Sequence, residues 1–172
     1  IMPHFHLSLQ SLDNLVLKRM KRRHSVDQIF ELFYNIRKST PHATFGADLI
    51  SGFPTESEDM FLNSYNNVKE LNITHLHVFP YSAKKGTPAS KMPQVSLDIR
   101  RRRAKELRQL GNENYIRFLN NQINKTHNAL IETADGFGKT ENNLKVKIKD
   151  VKKGNIVKFT PNSIENNHLV IN

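Results

Sequence analysis

Cysteine is missing from all 172 residues, and that absence removes disulfides, thiolate zinc sites, iron–sulfur ligation by this chain and any cysteine nucleophile. Acidic residues are scarce beside basic ones, 16 Asp+Glu against 26 Lys+Arg, so the formal charge of +10 asks for an anionic partner or surface. No apolar run approaches the roughly 18 residues that cross a bilayer, so no membrane span is expected. No cationic stretch followed by an apolar one marks the chain for secretion, and a cytoplasmic location is the default expectation. Internal repeats and low-complexity tracts are also lacking. With 37% hydrophobic and 24% charged residues, the composition fits a soluble globular protein of one or two domains.

What is present is a sequence of alternating periodicities. His4 to Gln10 puts Phe5, Leu7 and Leu9 on one face and His4, His6, Ser8 and Gln10 on the other, the period of a strand. Ser25 with Gln28 forms a capping-box signature, and Val26, Ile29, Phe30, Phe33 and Ile36 follow helical spacing for about 13 residues. Phe45, Ala47 and Leu49 alternate with Gly46, Asp48 and Ile50 until Gly52-Phe53-Pro54 breaks the pattern. Thr55 with Glu58 reads as a second capping box, opening a helix with Phe61, Tyr65, Val68 and Leu71 on one stripe. Ile73 to Pro80 reads as a third strand.

The order β-α-β-α-β implies parallel pairing with right-handed crossovers. Parallel strands covered on both faces are apolar on both, yet His4, His6, Ser8, Gln10, Asp48 and His77 give these strands a polar face. A wet barrel lumen explains that face. Three strands cannot close a barrel, and Ile1 stands almost directly on the first, so N-terminal strands are expected to be lacking. From Leu97 to about Thr126 the chain is helical in character, with an interruption expected at Gly111. Ala129 to Glu132, Lys145 to Lys149, Asn155 to Phe159 and His168 to Ile171 are short strand-like runs between Gly- and Asn-rich turns. The expected fold is α/β: a partial (βα) barrel over residues 1–112, a connecting helix over 113–127, and a small antiparallel OB-like β-barrel over 128–172.

Several groups of residues can carry chemistry. Lys18, Arg19, Lys21, Arg22 and Arg23 form one basic cluster, and Arg100, Arg101, Arg102 and Arg103 form another. Phosphate contact is the obvious use of both, set against the reading of each as a solvated helix face with no partner. Lys139, Lys145 and Lys147 surround Phe137 and Phe159 in the β tail, a combination suited to RNA. Gly52 to Glu56 is either a cofactor loop or an ordinary βα turn. Asp48 needs a partner if it faces inward, and Gln10 and Ser11 share that requirement more weakly. His4, His6, His75 and His77 form two HxH pairs, but no supporting carboxylate stands beside them in sequence, and no metal is assigned. Tyr81 to Pro88 lies where substrate groups are met in α/β folds.

Pro3-His4-Phe5-His6-Leu7-Ser8-Leu9-Gln10-Ser11, Leu17-Lys18-Arg19-Met20, Asp48-Leu49-Ile50-Ser51-Gly52-Phe53-Pro54-Thr55-Glu56, and Phe79-Pro80-Tyr81-Ser82 through Gly86-Thr87-Pro88-Ala89 follow one another in a recognisable order. The chain resembles the C-terminal part of a radical S-adenosylmethionine tRNA methylthiotransferase. His75-Leu76-His77-Val78-Phe79-Pro80-Tyr81-Ser82 and Met92-Pro93-Gln94-Val95 are most similar to the branch acting on N6-threonylcarbamoyladenosine next to the anticodon. Residues 1 to about 112 resemble the later half of the radical barrel, and 128–172, with Gly138 to Asn142, resembles the TRAM domain that grips tRNA.

The resemblance implies transfer of a methylthio group to C2 of the adenine, with S-adenosylmethionine as cofactor and two [4Fe–4S] clusters in the complete enzyme. It implies that Gln10 and Ser11 meet the ribose or methionine of the cofactor, that Gly52, Phe53 and Pro54 abut its adenine or methionine, and that Phe79 and Tyr81 frame the adenine, with Asp48 the inner-face polar candidate. The family's CxxxCxxC motif and N-terminal cluster domain lie outside this sequence. The chain alone is therefore expected to be inactive, as a fragment that is either an incomplete record or one product of a disrupted gene, with a separate N-terminal half carrying the cluster domains as one candidate partner. Leu12 stands where relatives carry Gly, so an altered or strained turn is expected there. Two other readings are a non-catalytic basic RNA-binding module, and a sibling enzyme acting on a ribosomal-protein aspartate.

Overall fold

Strand β1 (His4–Gln10) leaves His6 and Ser8 exposed and buries Leu9, as its alternation requires. The computed structural model describes residues 2–171; Ile1 and Asn172, the outer residues of the expected domains, lie outside them. A short helix, α1 (Asn14–Arg19), follows, capped by Asp13, whose carboxylate accepts from Leu15 and Val16 N–H. The sequence reading has only a basic segment here, because six residues are too few to display a helical period. Helix α2 (Val26–Ser39) carries the expected capping box, Ser25 with Gln28. Strand β2 (Thr44–Ser51), helix α3 (Glu58–Leu71) and strand β3 (His75–Pro80) complete the alternation. A short 3-10 turn (Pro88–Lys91) precedes helix α4 (Leu97–Asn120).

Two local expectations are corrected. The cap of α3 is Ser57, whose Oγ accepts from Met60 N–H at 3.2 Å, and Thr55 instead occupies the left-handed region at φ 66°. Glu58 does not reach back to cap, because Arg102 and Arg103 take its carboxylate. Helix α4 runs through Gly111 without interruption. A Cβ at 111 would stand 2.8 Å from Leu76 Cβ, so the glycine serves close packing of α4 on β3.

The chain separates into two units. One comprises His6–Pro41 and Phe45–Asn114. The three-stranded sheet has the order β1-β2-β3, with β2 and β3 parallel and Asp48 opposite His77. The core of this unit stacks Phe33 on Phe45 with ring centroids 4.1 Å apart, beside fully buried Phe61, Val68 and Leu71, each side chain contributing about 1.5–3 kcal/mol by burial.

The other unit takes the opening residues to Phe5, His42–Thr44 and the chain from Tyr115 onward. Its strands are β4 (His127–Ile131), β5 (Phe137–Thr140), β6 (Lys145–Lys147), β7 (Ile156–Phe159), β8 (Ser163–Glu165) and β9 (His168–Val170). They form one sheet in the order β7-β4-β5-β6-β9-β8. The expectation of an all-antiparallel unit is corrected, since β6 and β9 pair in parallel. Tyr115, Leu119, Ile131, Leu144, Val146, Phe159 and Leu169 form its core. His4 Nδ1 bonds Thr44 Oγ1 at 2.7 Å, Thr44 Oγ1 donates to Asn142 O at 2.6 Å, and Asn143 Nδ2 donates to His4 Nε2 at 3.2 Å.

Candidate functional site

At the carboxyl ends of β1 and β2 lies a cleft of about 360 Å³. Gln10, Ile50 and Phe53 come from the strand ends, Thr87, Pro88 and Ala89 from the segment after β3, and Arg19, Met20, Lys21 and Arg22 from the end of α1. Gln10 turns the chain out of β1 at φ 67° and donates from Nε2 to Ser8 Oγ at 2.8 Å. Lys21, at φ 57°, swings the basic residues past the last turn of α1. The result is an apolar lining with a cationic rim, suited to a ligand that joins a flat heteroaromatic group to an anionic one.

The turn after β2 is held from behind. Gly52 has φ 70°, and a Cβ there would lie 2.4 Å from Arg100 Cγ, so any other residue is both strained and crowded. Gly52 N–H donates to Glu56 Oε1 at 2.9 Å; Arg103 Nη1 donates to the same oxygen at 2.8 Å and to Glu56 O at 3.0 Å, and Arg103 Nη2 donates to Glu58 at 2.8 Å. Burial pushes the Glu56 carboxyl above its usual range, and the bonds from Gly52 and Arg103 offset this only in part. Phe53 meets Tyr81 edge-on at 5.3 Å. Arg100 donates to Tyr81 O at 2.9 Å and Val95 O at 2.7 Å, with its guanidinium 5.6 Å from the Tyr81 ring.

These contacts divide the expected nucleic-acid residues. Arg103 is 3% exposed, so the expectation that it meets RNA is corrected: its charge is spent inside, on two carboxylates. Arg100 is half-buried in its bonds to two carbonyls, while Arg102 is exposed but paired with Glu58 and Glu106. Arg101 is exposed. Lys18, Arg19, Lys21, Arg22 and Arg23 are all exposed, and Arg19 donates to Thr55 O at 3.0 Å.

Among the expected cofactor residues, Gln10 and Phe53 line the cleft, while Gly52, Pro54 and Tyr81 stand in or against the turn behind Phe53. Phe79 is exposed on β3, opposite Ile50. Ser11 is buried, with its Oγ accepting from Asp13 N–H at 3.2 Å and lying 3.3 Å from Ser64 Oγ. Leu12 is fully buried and is not among the described residues with positive φ, so the strain expected there falls on Gln10 instead.

Asp48 sits centrally on β2, flanked by His6 from β1 and His77 from β3. His6 Nε2 and His77 Nδ1 stand 3.0 and 3.2 Å from the same oxygen, Asp48 Oδ1. The His6 ring lies over Gly46, where a Cβ would come within 2.3 Å of Nδ1. Partial burial alone would raise the Asp48 carboxyl, but hydrogen bonds and charge from His6 and His77 outweigh it and hold the group below the usual range. The carboxylate that the histidines lack in sequence thus arrives through strand register; His4 is taken up elsewhere by Thr44 and Asn143. Glu56, which the sequence marks only as the end of the Gly52–Glu56 turn, is the residue whose carboxylate closes that turn by accepting from Gly52 N–H.

In the second unit Lys139 and Lys145 stand directly opposite each other, and Lys147 Nζ lies 4.9 Å over the Phe137 ring, which meets His168 at 5.1 Å. Like charges directly across a strand pair oppose each other, a cost that a bound polyanion removes. No described helix is long and apolar enough to cross a membrane.

Residues 2–68 match the Radical SAM superfamily. The chain is 47% identical over 148 residues, 86% of its length and 35% of the relative, to a threonylcarbamoyladenosine tRNA methylthiotransferase of Rickettsia prowazekii (strain Madrid E). It is 39% identical over 139 residues, 80% of its length and 32% of the relative, to a probable threonylcarbamoyladenosine tRNA methylthiotransferase of Methanocaldococcus jannaschii. A tRNA-2-methylthio-N(6)-dimethylallyladenosine synthase of Ehrlichia chaffeensis is 34% identical over 148 residues, 82% of the chain and 34% of the relative. The chain spans about a third of the length of these curated relatives.

Proposed function

We propose, because this chain belongs to the radical S-adenosylmethionine tRNA methylthiotransferase family, that it is part of an enzyme placing a methylthio group on C2 of N6-threonylcarbamoyladenosine next to the anticodon of tRNA. The cleft at the strand ends is the observation that supports this reading most. Its apolar lining of Ile50, Phe53 and Pro88 and its rim of Arg19, Lys21 and Arg22 suit the adenine and the methionine carboxylate of S-adenosylmethionine. When bound, S-adenosylmethionine supplies the radical and the methyl group. The chain's share is to hold and orient. Gln10 and the Gly52–Pro54 turn flank the ligand, Tyr81 backs Phe53, Phe79 offers an exposed ring, and Ser11 fixes the turn from beneath. Asp48 presents hydrogen-bonding capacity on the sheet's polar face.

Residues 1–112 then represent the later part of the radical barrel, 113–127 the connection, helical only as far as Asn120 and entering β4 at His127, and 128–172 a TRAM-like unit that grips tRNA through Lys139, Lys145 and Lys147. Lys18, Arg22, Arg23 and Arg101 add exposed charge from the other unit. These 172 residues have no thiolate to offer an iron–sulfur cluster, so by themselves they are catalytically incompetent.

Nucleoside mass spectrometry of tRNA from a strain lacking the gene tests the substrate. Loss of the 2-methylthio derivative with accumulation of N6-threonylcarbamoyladenosine is expected; unchanged tRNA with a mass loss on a ribosomal protein would replace this reading with the sibling activity. Anaerobic reconstitution of the chain is expected to yield no iron–sulfur cluster spectrum and no methylthiolated tRNA, and a cluster spectrum together with methylthiolated tRNA would refute its incompetence.

A further inference from the structure

We infer that His6, Asp48 and His77 form a three-donor site for a divalent transition-metal ion of the zinc type on the polar face of the three-stranded sheet. The inference goes beyond methylthio transfer and does not depend on it. One donor comes from each strand, and the parallel register that sets Asp48 opposite His77 fixes two of them on the same level. The close approach of His6 to Gly46 seats the third.

The three donor atoms lie within 4.8 Å of one another. Tetrahedral zinc, with bonds of about 2.0–2.2 Å to imidazole nitrogen and carboxylate oxygen, sets neighbouring donors roughly 3.3 Å apart. Both nitrogen–oxygen spacings, 3.0 and 3.2 Å, are already close to that value. The imidazole rings, with centroids 5.0 Å apart and planes tilted by 40°, already direct one nitrogen each at the same carboxylate oxygen. Two imidazoles with one carboxylate favour zinc, cobalt, nickel or ferrous iron over magnesium or calcium, which take mainly oxygen. Because His77 is 60% exposed and His6 36%, the remaining coordination positions open to solvent or to a substrate atom. The same three residues would otherwise be a hydrogen-bonded trio, and metal affinity separates the two cases.

The test is titration of the metal-stripped full chain with Zn²⁺ against a chromophoric chelator, with Co²⁺ absorption as a spectroscopic report on the ligand set. One equivalent is expected to bind, with a cobalt spectrum of mixed nitrogen and oxygen ligation. His77→Gln and Asp48→Asn are each expected to weaken binding by at least about tenfold, whereas His168→Gln, in the other unit, leaves it unchanged. His77 is largely exposed and Asn is isosteric with Asp, so these variants retain the fold, as circular dichroism would verify. No saturable equivalent, or one that survives both substitutions, would overturn the site. Neither outcome bears on the tRNA nucleosides of the deletion strain.

Discussion

Lys18 to Arg23 and Arg100 to Arg103 read alike in the sequence, each a dense run of cations, and the folded chain puts them to opposite uses. The first run sits at and beyond the end of α1, with its side chains exposed and three of them on the rim of the cleft. The second lies on the opening turns of α4, where Arg100 ties Tyr81 and Val95 together and Arg103 is buried against Glu56 and Glu58. What separates them is the supply of carboxylates and carbonyls within reach. A guanidinium held by several acceptors is architecture, whereas one facing water remains available to phosphate.

The comparison breaks first at Arg103. Arg103→Met leaves Glu56 buried without its cation and is expected to cost about 3–5 kcal/mol in denaturant unfolding, while Arg22→Ala stays within about 0.5 kcal/mol. Equal losses would mean that the two runs do not differ. Gly52→Ala ranks next, at about 1–2 kcal/mol for the left-handed backbone alone, with added crowding against Arg100 visible as a lowered melting temperature. A melting temperature at the wild-type value would show that Arg100 does not press on the turn.

RNA binding measured across salt sharpens the contrast from the other side. Arg22→Ala with Arg23→Ala is expected to reduce the slope of log affinity against log salt by about one for each phosphate that is no longer neutralised. Arg103→Met, if refolded, leaves that slope alone; a fall there would return Arg103 to the RNA surface.

The smallest effect is in acid. Asp48 is held below the unfolded value of about 3.9, so its contribution is complete above that pH and is lost as pH falls through the depressed folded value. Asp48→Asn should flatten that limb in urea midpoints measured between about pH 2 and 5. Glu56 has the opposite sign: its folded value is raised, so its contribution is complete below about pH 4.3 and fades as pH rises through the folded value. Parallel acid limbs in wild type and Asp48→Asn would show that the two histidines do not stabilise this carboxylate.

The periodic elements were legible in the sequence because α2, α3 and the strands β1, β2 and β3 each repeat an apolar period over enough residues to show it. Helix α1 is too short to do so, while β5 is interrupted by Gly138 and β8 carries a single apolar residue, Ile164. Gly111 misled because a glycine needed for packing on Leu76 looks like a helix break when its neighbour is unknown. Asp48 and His77 were each visible as inward-facing polar residues, but their meeting depends on register between strands 29 residues apart in sequence. The role of Glu56 was illegible for the same reason, since Arg103 approaches it from 47 residues away.

Long sequence separations also set a schedule for synthesis. Asn143 reaches His4 across 139 residues, and Thr44 waits 98 residues for the carbonyl of Asn142. During synthesis, His4 and Thr44 can therefore meet each other but lack Asn142 and Asn143 until the β4–β9 sheet has been made. By then Phe33, Phe45 and Phe61 have all been available to collapse together, so the parallel-sheet unit can assemble first and the later sheet must recruit early strand ends into its own framework.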